Sequence, residues 1–296
     1  MVQALILSVV LPIVVATALV SIGHQLWRPG SPVAGGRWSV ALAPSLGALA
    51  AIWAVKSLPG LPPSDYSQWA VWMSLLAAVG VLVLDRTGAP PAAHLGFRGL
   101  ISLLVPFLVL SPLVNGSWGL GTTLAWVLGA GGAIFLAWTV IDAQREAVKG
   151  PKIPLALTIW GTAGAIALAA SGTMLLGQET GGATATLGVI TVLGLLRPEL
   201  DPARLLAGPI SVVVLGLVLA GVHYAEVSTL TAALVAFVPL TLLAARRNPF
   251  AQSGLQGLVM QGALTFAVAA AAISVAAVQG APEAADDAED SNSYGY

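Results

Sequence analysis

Apolar runs of about 17 to 25 residues recur along nearly the whole chain, each long enough to cross a hydrocarbon layer about 30 Å thick. Broken at prolines, glycines and charged clusters, they predict helices near 4–22, 38–57, 68–84, 98–114, 118–141, 153–176, 182–196, 203–222, 227–245 and 256–278. Lipid offers no water to backbone N–H and C=O groups, so such runs fold as helices or as strands of a closed barrel. Barrel strands alternate polar and apolar residues, and these runs do not. The expected fold is an all-α integral membrane protein of about ten transmembrane helices. Only 8% of the 296 residues are charged, against roughly 25% in a soluble domain. The first run has no basic flank and no convincing cleavage site of small residues, so it reads as a retained helix rather than a secretory signal.

Two regions are expected: a polytopic helical domain over 1–278 and an acidic tail of disordered type over 279–296. The tail turns abruptly to Ala, Pro, Asp, Glu, Ser, Asn and Gly, a composition that cannot bury an apolar core.

Basic residues set the orientation, because cytoplasmic loops retain them. Arg28, Arg37, Arg86, Arg98, Arg145, Lys149, Lys152, Arg197, Arg204, Arg246 and Arg247 all lie in or beside odd-numbered loops, leaving Lys56 alone among the twelve. With the odd loops cytoplasmic, both termini lie on the non-cytoplasmic side; the expected location is a bacterial cytoplasmic (inner) membrane. Transporters are often built from inverted repeats. Leu104–Ser111 aligns without gaps with Leu234–Thr241, each carrying a proline inside its span, and Ser45-Leu46-Gly47 faintly echoes Thr186-Leu187-Gly188. A 5+5 inverted repeat is therefore a candidate, with chance similarity between Leu/Val-rich helices as the alternative.

Much chemistry is excluded. The chain has no cysteine, so disulfides, thiolate metal sites and iron–sulfur clusters are out. A net charge of −1 gives no basic surface for nucleic acid. Asp85, Asp142, Glu146, Glu199 and Asp201 all stand beside basic residues in expected loops. His24, His94 and His223 also fall outside the expected spans. No acid, base, nucleophile, cofactor ligand or metal ligand is recognisable, so the chain is not expected to be an enzyme. Small residues such as Gly129, Gly161 and Gly216 suit close helix packing. Gln256, Gln261 and Thr265 form a polar stripe in the last span.

The most suggestive stretch is the Gly-rich 171–182, expected to join two helices either as an ordinary turn or as an unwound segment whose carbonyls and hydroxyls could hold a solute. The candidate solute-binding residues are Ser171, Thr173, Gln178, Glu179, His223 and Glu226, with Asp65 and Tyr224 on the same expected face. Two functions follow. The first is a permease for a small or lipidic solute, facilitated rather than proton-coupled because no carboxylate is expected inside a span. The second is a non-catalytic subunit that packs within a larger membrane complex. Expected partners are membrane lipids and, for the second reading, other membrane subunits.

Overall fold

In the computed structural model, residues 2–26, 34–56, 58–144, 151–196, 203–246 and 255–279 are described. They form eleven α-helices and one 3-10 segment: α1 (Val2–Leu26), α2 (Ala34–Val55), α3 (Gln68–Arg86), α4 (Pro91–Val109), α5 (Ser111–Gly116), α6 (Leu120–Ala143), α7 (Lys152–Ala170), α8 (Met174–Leu196), α9 (Ala203–Tyr224), α10 (Thr229–Phe237), the 3-10 segment Val238–Arg246 and α11 (Leu255–Gln279). The acidic tail beyond 279 lies outside the described residues, as do Arg28, Arg145, Glu146, Lys149, Arg197, Glu199, Asp201 and Arg247.

Eight of these helices are long and apolar enough to cross a membrane, and Leu7–Leu19 and Thr229–Ala244 are shorter apolar stretches. Leu100, Phe107, Leu128 and Phe266 point outward, each more than 40% exposed. Apolar surface on that scale calls for a non-aqueous surrounding, consistent with a multi-pass integral membrane protein.

The bundle is built around α9, whose span is 94% buried. A helix apolar on every side has no face to give to solvent and takes the centre. It packs against α2, α3, α4, α6, α7, α8 and α10. Around it, α1 lies on α2 and α8, while α11 covers α7 and the 3-10 segment.

Prolines shape the irregular points. Residue 239 is a proline and cannot donate to Val235 O as a helix would require. Val238 N–H bonds that carbonyl in its place, the chain continues as a 3-10 helix, and Trp160 Nε1 donates to the same oxygen at 2.8 Å. The expected helix 98–114 likewise breaks at Leu110, because Pro112 cannot donate to Leu108 O. Ser111 Oγ fills that position at 2.8 Å. The α4 helix also begins earlier than expected, Pro91 serving as its first-turn proline, which suits a position whose N–H would be unbonded anyway. His94 therefore sits inside α4 rather than in a loop. Gln261 of the polar stripe is fully buried and donates to Thr241 O at 3.3 Å, so it ties α11 to the 3-10 segment. Gln256 is exposed.

A close backbone crossing joins α2 to α8. A Cβ built on Gly182 would stand 2.6 Å from both Gly47 O and Ala51 Cβ. Only glycine allows the two backbones to meet this way, and such contacts carry helix association where lipid is as apolar as the side chains. Gly182→Ala should therefore lower the thermal midpoint of the detergent-purified protein clearly. Gly188→Ala, in open space on the same helix, should leave it near wild type; equal midpoints would show that the crossing tolerates separation.

Candidate functional site

The stretch expected to join two helices, as a turn or as an unwound segment, is mostly helix. The α7 helix ends at Ala170, Gly172 takes a φ of +88° that L side chains rarely adopt, and α8 starts two residues later at Met174. Ser171 Oγ donates to Ala167 O at 2.9 Å, and Thr173 Oγ1 to Leu168 O at 2.7 Å. Both hydroxyls thus close the end of α7. Glycines at 177, 181 and 182 suggested a loop, but two of them serve packing instead: Gly177 faces Ala165 and Ala169 of α7, and Gly182 faces α2.

This places Glu179 within a membrane-length helix, correcting the expectation that carboxylates stay outside the spans. Its position is about 8 Å along the axis from the start of α8. The side chain is 0% exposed, and neither carboxyl oxygen has a hydrogen-bond partner. It lies one turn before Gly182 and two before Thr186, the residues that meet α2. At the mouth of this contact, Lys56 Nζ stands 4.0 Å from Asp65 Oδ2, with both side chains well exposed. Asp65 is itself fixed by Ser67, whose N–H and Oγ donate to Oδ1 at 3.0 and 2.7 Å just before α3. The contact of Ala51 with Gly182 puts the end of α2, where Lys56 follows, on the side of the crossing where Glu179 stands.

The other candidates disperse. Gln178 is half-buried beside Glu179. His223 closes α9 and packs edge-on against Trp118 and Trp126, with ring centroids 5.1 and 4.3 Å away. Glu226 is exposed in the α9–α10 turn at a φ of 58°. Tyr224 OH donates to Val109 O at 2.9 Å, securing the end of α4. Glu179 and Asp65 thus share one neighbourhood, whereas His223 belongs to an aromatic cluster on α6.

A second polar cluster occupies the opposite end of the bundle, and sequence reasoning placed its members in separate loops. Arg98 Nη2 of α4 donates to Asp142 Oδ2 of α6 at 2.6 Å, and Nη1 to Thr139 Oγ1 at 3.0 Å. Arg98 also lies over the Trp138 ring, 5.6 Å from its centroid, a geometry favourable for a cation. Arg204 Nη2 of α9 is 2.7 Å from Asp85 Oδ1 of α3, within ion-pair range although off the hydrogen-bond line. The same nitrogen donates to His94 Nε2 at 2.9 Å. His94, Arg98, Trp138, Asp142 and Arg204 line a cavity of about 510 Å³ between α3, α4, α6 and α9. The clue in the sequence was that every one of these charges falls within two turns of a helix end on the same side.

No protein-family model and no curated protein matches this sequence.

Removing one member of a buried ion pair strands its partner. The Arg98 side chain is 11% exposed and that of Arg204 33%, so Arg98→Gln should lower the thermal midpoint more than Arg204→Gln. The reverse order would show that the Arg98 pair contributes little to holding α4 on α6.

Proposed function

We propose that this chain is a permease of the bacterial cytoplasmic membrane for a small or lipidic solute, and that its working site includes Glu179. The observation that carries this reading is the unpartnered carboxyl buried inside α8. Ionisable groups are costly within a membrane and mark transport paths when they occur there. In this reading the chain crosses the membrane ten times with both termini outside. The positions of Arg86, Arg98, Lys152 and Arg204 at one end and Lys56 at the other support that orientation. A 5+5 inverted repeat fits the local breaks that follow Pro106 and accompany Pro239, and it fits the packing of α1 on α2 alongside that of α7 on α8.

One observation favours the reading as a subunit of a larger complex. An apolar groove of about 390 Å³ runs between α6, α9 and α10, lined largely by small residues such as Gly129, Ala133, Ala232 and Ala236. Small residues let a neighbouring helix approach closely. Mild-detergent purification with mass spectrometry of co-migrating chains separates the two readings, since stoichiometric partners would favour the subunit.

For the permease, proteoliposomes carrying the wild-type chain should take up at least one member of a panel of small neutral, cationic and lipidic solutes. Glu179→Gln should cut that uptake at least about tenfold, the effect of losing roughly 1.4 kcal/mol at the limiting step. Glu226→Gln, at an exposed turn, should leave uptake unchanged. Equal effects of the two substitutions would remove Glu179 from the site.

A further inference from the structure

We propose that Glu179 is a proton-carrying group, and that Lys56 exchanges Asp65 for the Glu179 carboxylate when the contact between α2 and α8 opens. The proposal rests on the permease reading and supplies its coupling ion.

The closed site leaves little choice of ligand. Both oxygens of Glu179 are sealed without a partner among the described residues, and burial without a partner disfavours the ionised carboxylate. A metal ion of the calcium type needs six or more oxygen ligands, and no group of three His, Cys, Asp or Glu side chains suited to a metal occurs among the described residues. The nearby hydroxyls of Thr180, Thr184 and Thr186 already bond to carbonyls of their own helix. A proton needs neither room nor further ligands.

The register of the crossing places the exchange partner. The two helices run antiparallel, and Ala51 of α2 meets Gly182 of α8. One turn further on, the positions near Val55 and Lys56 stand opposite Glu179. Lys56 pairs with Asp65 at 4.0 Å, and both side chains are well exposed. Once Lys56 turns inward, the Glu179 O–H bond can break. The proton passes to water at the mouth, the ammonium balances the new carboxylate, and Asp65 is left to solvent. Among the described residues, the other titratable or charged groups at this end are Tyr66 in the α2–α3 connection, His223 and Tyr224 at the end of α9, and Glu226 in the turn that follows. Among the described residues, α1 and α7 bring none to it.

The test is infrared spectroscopy of the full chain reconstituted in lipid vesicles. At neutral pH the wild-type protein should show the carbonyl stretch of an un-ionised carboxyl, shifted in heavy water and absent from Glu179→Gln. Glu179→Asp should keep such a band, and circular dichroism checks that both variants remain helical. In Lys56→Gln the band should persist to a pH higher by on the order of one unit, because the cation that stabilises the ionised form is gone. Identical neutral-pH spectra for wild type and a helical Glu179→Gln would overturn the proton site. A Lys56→Gln titration matching wild type would overturn the exchange. Failure of every solute in the uptake assay, with the band present, would count against the permease reading alone.

Discussion

The bundle depends on α9 being apolar on all sides. In lipid, helices gain nothing from hiding apolar surface, so their association rests on close packing and on hydrogen bonds that leave no backbone group stranded. A helix that offers no polar face can be surrounded, and α9 is met from different directions by Ala70 of α3 at Gly216, Trp138 of α6 at Gly208 and Leu168 of α7 at Gly221. Elements of the first and second halves of the chain are thereby held to one axis. The two polar regions lie where that apolar column reaches its ends.

Helix positions were largely legible because membrane-length apolar runs leave few alternatives. What failed was the reading of glycine. In a soluble loop, Gly177, Gly181 and Gly182 would mark irregular backbone, whereas within a bilayer the same residue permits helices to touch. The expected start of this helix at 182 was therefore eight residues late, and Glu179 was read as a loop residue. Pro91 produced a similar shift at α4 by opening the helix instead of preceding it.

The charged cluster was hidden for a different reason. Asp85 and Asp142 each have a basic neighbour in sequence, which suggests local pairing, yet their partners come from distant helices: Arg204 for Asp85 and Arg98 for Asp142. Sequence adjacency reports which charges share an end of the bundle. It does not report which of them meet, because that depends on the order in which the helices surround α9. Trp160 illustrates the same limit, since nothing near it in the chain foretells a bond to Val235.

The change of helix type after Phe237 alters reach. An α-helix rises about 1.5 Å per residue and a 3-10 helix about 2.0 Å. Thr229–Phe237 and Val238–Arg246 are nine residues each, so together they extend roughly 32 Å, where eighteen residues of uniform α-helix would extend about 27 Å. Tightening its coil thus lengthens a segment that is short in residue number. That lengthening begins at one imino acid, so moving Pro239 a turn in either direction would change how far the segment reaches.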